Sequence, residues 1–156
     1  MRDSETSARQ YALKLIRYRG RSEKELTDRL IQKGFSNSNI VVTIDRLKDS
    51  GLVDDSSLAA SLDEIAKNVK LLGNRGTIYF LKKRGISDGI ISQIRSDEDD
   101  EVKRAKKFVS KKSRTLSAYT PVERAKKIRG MLLRRGYSHD TVREIVKALR
   151  EGEDTR

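Results

Sequence analysis

The sequence has no cysteine and no tryptophan, and only one proline and one histidine among its 156 residues. Without cysteine the chain can form no disulfide, no thiolate metal site and no thiol nucleophile, which is typical of an intracellular protein. A lone histidine, His139, offers neither a histidine metal cluster nor a Cys/His catalytic pair. The glycines at 73 and 76 lack the GK[ST] ending of a phosphate-binding loop. We therefore predict that the protein is not an enzyme and has no catalytic, metal or cofactor site.

Long hydrophobic runs are also missing. No segment approaches the ~18 apolar residues that a membrane helix needs, and the N-terminal MRDSETSARQ contains no apolar signal region. Hydrophobic residues make up 35% of the chain and charged residues 37%, a balance that favours several thin cores over one large core. We expect a protein without a membrane segment, located in the cytoplasm.

Acidic residues are scarce in the last third of the chain. The formal net charge is +12, and residues 102–150 carry 16 basic and 3 acidic side chains. Residues 1–62 carry 11 and 9, and residues 63–101 carry 7 and 8, so both of these segments are nearly neutral. A single-sign surplus of this size favours a polyanionic partner, because ordinary solvated helices mix both signs.

The apolar residues recur at the spacing of α-helices. Ala8, Tyr11, Ala12, Leu15 and Ile16 trace an i, i+3, i+4, i+7, i+8 stripe, and similar stripes follow along the whole chain. They predict nine short helices in three sets of three, and hence an all-α fold of tandem helix-turn-helix-like repeats in a solenoid-like array. We predict a flexible tail over 1–7, repeat 1 over 8–53, repeat 2 over 54–96, an acidic joint over 97–101, basic repeat 3 over 102–150, and a C-terminal tail over 151–156. Residues 110–119 are predicted to form a loop inside repeat 3.

One heptapeptide pattern occurs in each repeat, as LIQKGFS at 30–36, LKKRGIS at 81–87 and LLRRGYS at 132–138, with glycines 51 residues apart. This pattern predicts a helix that ends in a Schellman motif, in which a left-handed glycine lets the next residue pack against the residue five positions earlier. The serine that follows is a good N-cap for the next helix. The predicted structural sets are Leu30, Gly34 and Phe35; Leu81, Gly85 and Ile86; and Leu132, Gly136 and Tyr137.

Four segments together carry a family resemblance. They are RSEKELTDRLIQKGFS at 21–36, IDRLKDSGLVDDSSLAASL at 44–62, KLLGNRGTIYFLKKRGIS at 70–87 and LLRRGYSHDTV at 132–142. In this order they resemble the RecX family, the small regulators of the RecA recombinase. The match extends from about Ala8 to Leu149 and is strongest over 21–62, although Leu58 stands where the family more often has phenylalanine.

The resemblance implies a fold and a function. Proteins of this family are curved, elongated arrays of three-helix units that bind in the groove of the RecA–single-stranded DNA filament. They lower ATP hydrolysis, strand exchange and coprotease activity and block filament growth, which places them in homologous recombination, DNA repair and the SOS response. The implied partners are therefore the RecA filament and single-stranded DNA, bound weakly and without sequence preference, with duplex DNA as a further candidate. We expect a monomer, because no heptad seam predicts a coiled-coil dimer.

The basic residues of repeat 3 are the candidate contacts to DNA or RecA. They leave the apolar stripe of their helices free for the core, and they are Lys103, Arg104, Lys106, Lys107, Lys111, Lys112, Arg114, Lys126, Lys127, Arg134 and Arg135. Cations at a helix C-terminus also complement the macrodipole, so Arg134 and Arg135 fit a cap and a contact about equally. The segment from Lys103 to Lys112 has no such explanation for most of its length and is the better candidate for phosphate contact.

Two other classes of protein fit parts of the pattern. A helix-turn-helix or sequence-nonspecific DNA-binding protein acting without RecA would use the same cations, although no helix offers a set of arginine, asparagine and glutamine for reading bases. A protein-interaction scaffold would need an acidic partner for the same surface. Tyr18 and Tyr119 lie near helix or loop ends. The other aromatic residues mostly lie on apolar stripes or helix ends and are expected in the core; they are Tyr11, Phe35, Tyr79, Phe80, Phe108 and Tyr137. We therefore predict that the protein recognises its partner through charge and shape rather than through base stacking.

Overall fold

A computed structural model describes residues 4–94 and 98–153, and these residues form helices without a strand. The all-α prediction is thereby confirmed, with nine helices in the described part of the chain. They are α1 (Glu5–Tyr18), α2 (Glu23–Lys33), α3 (Asn37–Asp49), α4 (Asp55–Glu64), α5 (Asn74–Lys83), α6 (Asp88–Ile91), α7 (Glu98–Leu116), α8 (Pro121–Arg134) and α9 (His139–Glu153). A π-helical turn, Ile65–Val69, continues α4. Within the described residues, every helix is too short or too polar to cross a membrane.

The chain divides into two compact units, where the sequence predicts three repeats. Compact unit 1 contains Met1–Leu62 and Leu81–Gln93, and compact unit 2 contains Asp63–Phe80 and Ile94–Arg156. The residues of repeat 2 are thus shared between the two units. Its helices are short, and α6 has only four residues, of which Ile91 is buried. Leu71, in the connection that precedes α5, lies in the same buried cluster as residues of α7, α8 and α9.

The core of compact unit 1 is formed by the apolar stripes of α1, α2 and α3. Its buried cluster consists of Ala8, Ala12, Leu26, Leu30, Ile40, Ile44, Leu47 and Val53. Small alanines on α1 allow close approach, while α2 and α3 supply the larger buried side chains of leucine and isoleucine. Each fully buried leucine or isoleucine contributes roughly 1.5–3 kcal/mol, so this thin core depends on every one of them.

The core of compact unit 2 contains a buried tyrosine, Tyr137, whose hydroxyl is hydrogen-bonded to the backbone. Its buried cluster consists of Leu71, Ala105, Phe108, Leu116, Ile128, Leu132, Tyr137, Val142 and Ile145. The Tyr137 hydroxyl donates a hydrogen bond of 2.7 Å to the Leu71 carbonyl oxygen. Burial raises the pKa of Tyr137 to about 12, so the phenol stays protonated and keeps this bond over the physiological pH range.

Two predictions for the start and the end of α7 are wrong. Residues 110–116 of the predicted loop are helical, because Leu116 continues the stripe of Ala105 and Val109 and is buried. Most of the predicted acidic joint also belongs to the helix, since α7 begins at Glu98, while residue 97 lies outside the described residues. Carboxylates favour the first turn of a helix because they complement its macrodipole.

The three predicted Schellman motifs have the expected backbone geometry. Gly34, Gly85 and Gly136 have φ values of 91°, 79° and 76°. The amides of Phe35, Ile86 and Tyr137 donate to the carbonyls of Leu30, Leu81 and Leu132 over 3.2, 3.1 and 3.2 Å. The following Ser87 and Ser138 accept N-cap bonds from Ile90 and Thr141, whereas Ser36 makes no side-chain cap bond to α3. The heptapeptide therefore ends one helix in every repeat and caps the next in two of them.

Candidate nucleic-acid interface

Five cations form an exposed stripe along α7. Spacings of three and four residues place side chains on one face of a helix, while Ala105, Phe108 and Leu116 bury the opposite face. The members of this basic stripe are Lys103, Lys106, Lys107, Lys111 and Arg114, all of them exposed. At a rise of about 1.5 Å per residue the stripe is roughly 16 Å long, enough to run beside several phosphates of a nucleic-acid strand.

Described carboxylates lie near only two members of the basic stripe, Lys103 and Lys107. Lys103 forms an exposed ion pair of 3.6 Å with Asp100. Lys103 and Lys107 also line a groove of about 410 Å³ whose acidic side chains are Asp63, Glu64 and Asp100. Lys106, Lys111 and Arg114 have no ion pair within the described part of the chain, so their charge is free to attract an anion.

Arg104, which the sequence places among the contact residues, does not belong to this surface. Its side chain is buried, with 8% of the residue exposed. The guanidinium donates from Nε to the Leu72 carbonyl oxygen at 3.1 Å and from Nη2 to the Asn74 Oδ1 at 2.6 Å. It therefore joins α7 to the start of α5. The prediction of a DNA contact is wrong here because composition cannot distinguish a buried arginine from an exposed one.

Arg135 and Lys112 are also occupied inside compact unit 2. The Arg135 Nη1 donates to the Lys70 carbonyl oxygen, and its guanidinium carbon lies 4.4 Å from the centre of the Phe108 ring. Lys112 is half-buried, and its ammonium lies 5.9 Å from the same ring. Of the two arginines that close α8, only Arg134 is exposed. Cation–π packing explains why Arg135 and Lys112 lie against Phe108.

The cations of α8 occupy another exposed face. Lys126 and Lys127 are both exposed, and the Lys127 ammonium lies 4.3 Å from the centre of the Tyr119 ring.

Three tyrosines are exposed. Tyr119 is 38% exposed, Tyr18 is 85% exposed, and Tyr79, predicted in the core, is 67% exposed. Tyr79 lies on the outer side of α5, which the dense apolar pattern of that helix does not reveal.

The sequence also hides an important buried carboxylate. Glu101 is 1% exposed and accepts hydrogen bonds from the Asn74 amide at 2.7 Å, the Ser138 hydroxyl at 2.8 Å and the Thr141 hydroxyl at 2.7 Å. Burial by itself would raise the pKa of this carboxyl, but those hydrogen bonds outweigh burial and hold it below its ordinary value. Glu101 thus caps both α5 and α9. Its place in the run DEDDE suggested a solvated side chain instead.

Two of the heptapeptides make a second contact, which joins one repeat to the preceding one. Arg84, just before Gly85, donates to the Gly20 carbonyl oxygen at 3.0 Å, as Arg135, just before Gly136, donates to that of Lys70. A Cβ at Gly85 would overlap the Ser22 hydroxyl, and a Cβ at Gly136 would overlap the backbone of Gly76. We call these two contacts the repeat joints. The sequence predicts the helix end at each glycine but not its close approach to the preceding repeat.

Comparison with known proteins agrees with this architecture. Residues 8–47 match a family model described as RecX, first three-helix domain, and residues 98–146 match one described as RecX, third three-helix domain. The chain is 32% identical to the regulatory protein RecX of Chlorobaculum tepidum, covering 97% of this chain and 93% of the relative. It is 30% identical to that of Mycobacterium sp. (strain KMS), covering 97% and 86%. A crystal structure of RecX from Lactobacillus salivarius has a TM-score of 0.78 at 25% identity, covering 96% and 99%.

Proposed function

Because the chain belongs to the RecX family, we propose that it is a regulatory protein that binds the RecA–single-stranded DNA filament in its groove and restrains it. Binding there lowers ATP hydrolysis, strand exchange and coprotease activity and blocks growth of the filament. The relatives are named as regulatory proteins, which supports the regulatory role. The protein acts by binding rather than by catalysis, in the cytoplasm, as a monomer without a cofactor.

The basic stripe on α7 is the observation that carries the DNA part of this proposal. Its cations project from one helix face, and three of them form no ion pair among the residues that the structure describes. Such a stripe attracts phosphates through charge alone and reads no bases, which suits binding to a filament of any DNA sequence. Lys126, Lys127 and Arg134 add to the positive potential of the same compact unit.

A sequence-nonspecific DNA-binding protein acting without RecA is the second candidate function, because the same stripe would serve it. The two differ in the amount of protein they need. A filament regulator acts on RecA at concentrations that leave most of the DNA uncovered, whereas a competitor for phosphate acts only when it coats the DNA.

The test is single-stranded-DNA-dependent ATP hydrolysis by RecA of the same source, with this protein titrated well below the RecA concentration. Binding to the free DNA is recorded in the same buffer. We expect hydrolysis to fall before the DNA is appreciably bound. If hydrolysis falls only as the DNA becomes saturated, the filament is not the target and the second function replaces the first.

A further inference from the structure

An exposed aromatic residue lies within a cluster of cations at the end of α1. Between Glu5 and Glu23 the sequence contains five basic residues and no acidic one. Tyr18, the last residue of α1, is 85% exposed, the highest value among the large hydrophobic residues described. We call Lys14, Arg17, Tyr18 and Arg21 the α1 patch. The near-neutral balance of residues 1–62 conceals it, because their acidic residues lie mostly after position 22.

The α1 patch lines an open groove of about 530 Å³, together with Tyr11 and Leu15. Tyr11, Lys14, Leu15 and Tyr18 follow the i, i+3, i+4, i+7 spacing and therefore share a helix face. Tyr11 and Leu15 are half-buried against the core of compact unit 1 and form an apolar floor. Tyr18 continues this face beyond the core, where its ring is open to solvent.

The positive charge of the α1 patch is not neutralised locally. Glu25 is already bound by Arg19 at 2.7 Å and by Arg84 at 3.2 Å. Within the described residues, Lys14 and Arg17 have no ion pair, and the buried Arg21 Nε has no hydrogen-bond partner. Burial lowers the pKa of Arg21 below its ordinary value, and the nearby Arg19 lowers it further.

Of the features of the α1 patch, the structure of the helix explains only the position of Arg17. A cation in the last turn complements the macrodipole, and Arg17 is in that position on α1. The macrodipole does not explain why the Nε of the half-buried Arg21 lacks a hydrogen-bond partner, nor why Tyr18 extends into solvent beside the cations. An exposed aromatic ring flanked by cations is the device by which proteins hold single-stranded nucleic acid, the ring stacking on a base and the cations binding phosphates.

We propose that the α1 patch is a second nucleic-acid site, in which Tyr18 stacks on one unpaired base while Lys14, Arg17 and Arg21 bind the flanking phosphates. The occupant is single-stranded nucleic acid rather than an acidic protein surface, because cations alone would serve an acidic surface and the open ring would have no role. The inference adds to the proposed function a base-stacking contact in compact unit 1, apart from the basic stripe of compact unit 2.

The absence of tryptophan gives a direct test in the full-length chain. The variant Y18W carries a single tryptophan at the end of α1, and V41W carries one on α3, at a site that is 57% exposed and near Asp45. Each variant is titrated with oligo(dT) and with an abasic oligonucleotide of equal length, and its binding is followed independently by anisotropy of labelled DNA. We expect oligo(dT) to quench the emission of Y18W, and the abasic strand to leave it unchanged. The emission of V41W should not respond to either strand.

Affinities supply the second arm of the test. Loss of one stacked base weakens binding roughly fivefold or more, so we expect that effect from Y18A, and near wild-type affinity from Y18F. If bound oligo(dT) leaves the Y18W emission unchanged, the stacking site is refuted. If Y18A binds DNA normally but associates poorly with the RecA filament, the patch contacts protein instead, and the proposal is equally wrong. Either result leaves the proposed regulation of RecA intact, because the hydrolysis assay measures it separately.

Discussion

Gly34, Gly85 and Gly136 share a left-handed backbone, but their surroundings differ. A side chain at Gly34 would meet no described atom within 4 Å, one at Gly85 would meet the Ser22 hydroxyl, and one at Gly136 would meet backbone atoms of Gly76. Side-chain atoms can move aside, whereas a paired backbone cannot. Position 34 therefore needs glycine for its φ angle alone, and position 136 needs it for two reasons.

Alanine substitutions should rank accordingly. We expect G34A to lower the free energy of unfolding by about 1–2 kcal/mol, the cost of a left-handed alanine. G85A should cost more, and G136A the most, because overlap adds to the same strain; G85V, with a β-branched side chain, should damage the fold further. Urea unfolding followed by circular dichroism measures the series. Equal losses for all three alanine variants would show that the repeat joints do not restrict these positions.

Glu101 gives a residue-scale prediction about pH. Its folded-state pKa lies below its ordinary value of 4.5, so its contribution to stability is complete above about pH 4.5 and is lost as the pH falls through the folded-state pKa. E101Q, which removes the charge, should lower the free energy of unfolding by about 1–3 kcal/mol at pH 7 and weaken its pH dependence below pH 4.5. Unfolding curves between pH 3 and 7 test this. An unchanged acid slope in E101Q would show that another carboxylate is responsible, Glu25 being the first to examine because its pKa is also lowered.

At the scale of elements, α7 combines a buried structural arginine with the exposed lysines of the basic stripe. Its periodicity allowed the apolar face and the basic stripe to be predicted, because both follow from spacing alone. The status of Arg104 could not be predicted, since its partners Leu72 and Asn74 lie 32 and 30 residues away and only the fold brings them together. The helical course of residues 110–116 is hard to predict for a related reason: Leu116, the apolar residue that continues the stripe, follows six polar positions.

Substitutions on α7 should separate stability from binding. R104A leaves the Leu72 carbonyl and Asn74 without their donor, so we expect a loss of about 1–3 kcal/mol in unfolding free energy. K103E/K106E/K107E should leave the thermal midpoint nearly unchanged and weaken binding to the RecA filament. The matched control K103R/K106R/K107R keeps the charge and should bind almost normally. Unchanged filament binding by the glutamate variant at moderate salt would exclude the basic stripe as the contact.

At the scale of the whole molecule, the surplus of positive charge is concentrated in the last third of the chain. The surplus over residues 102–150 is visible in the sequence, and the fold displays much of it on exposed faces of α7 and α8. The division into two compact units was not predictable in the same way. Periodicity shows where helices begin and end, but it does not show which neighbouring core receives a short helix such as α6.

The salt dependence of DNA binding tests this distribution. Each phosphate contact to a single strand contributes about −0.7 to the slope of log affinity against log salt, so five contacts from the basic stripe contribute on the order of −3.5 to that slope. Charge reversal of three stripe lysines should bring the slope closer to zero. Fluorescence anisotropy with a labelled oligonucleotide at several salt concentrations gives the value. A slope near zero for the wild type would mean that phosphate contact is not what binds the DNA.

The repeat joints have a consequence for how such a protein changes in length during evolution. Arg84 and Arg135 occupy equivalent positions 51 residues apart, and each bonds a carbonyl 64 or 65 residues earlier. A duplicated block of 51 residues would carry one such arginine and one acceptor carbonyl, which is what a further joint needs. Gain or loss of one whole block therefore keeps each arginine one repeat away from its acceptor carbonyl. Tandem duplication is thus the change of length that this architecture tolerates best.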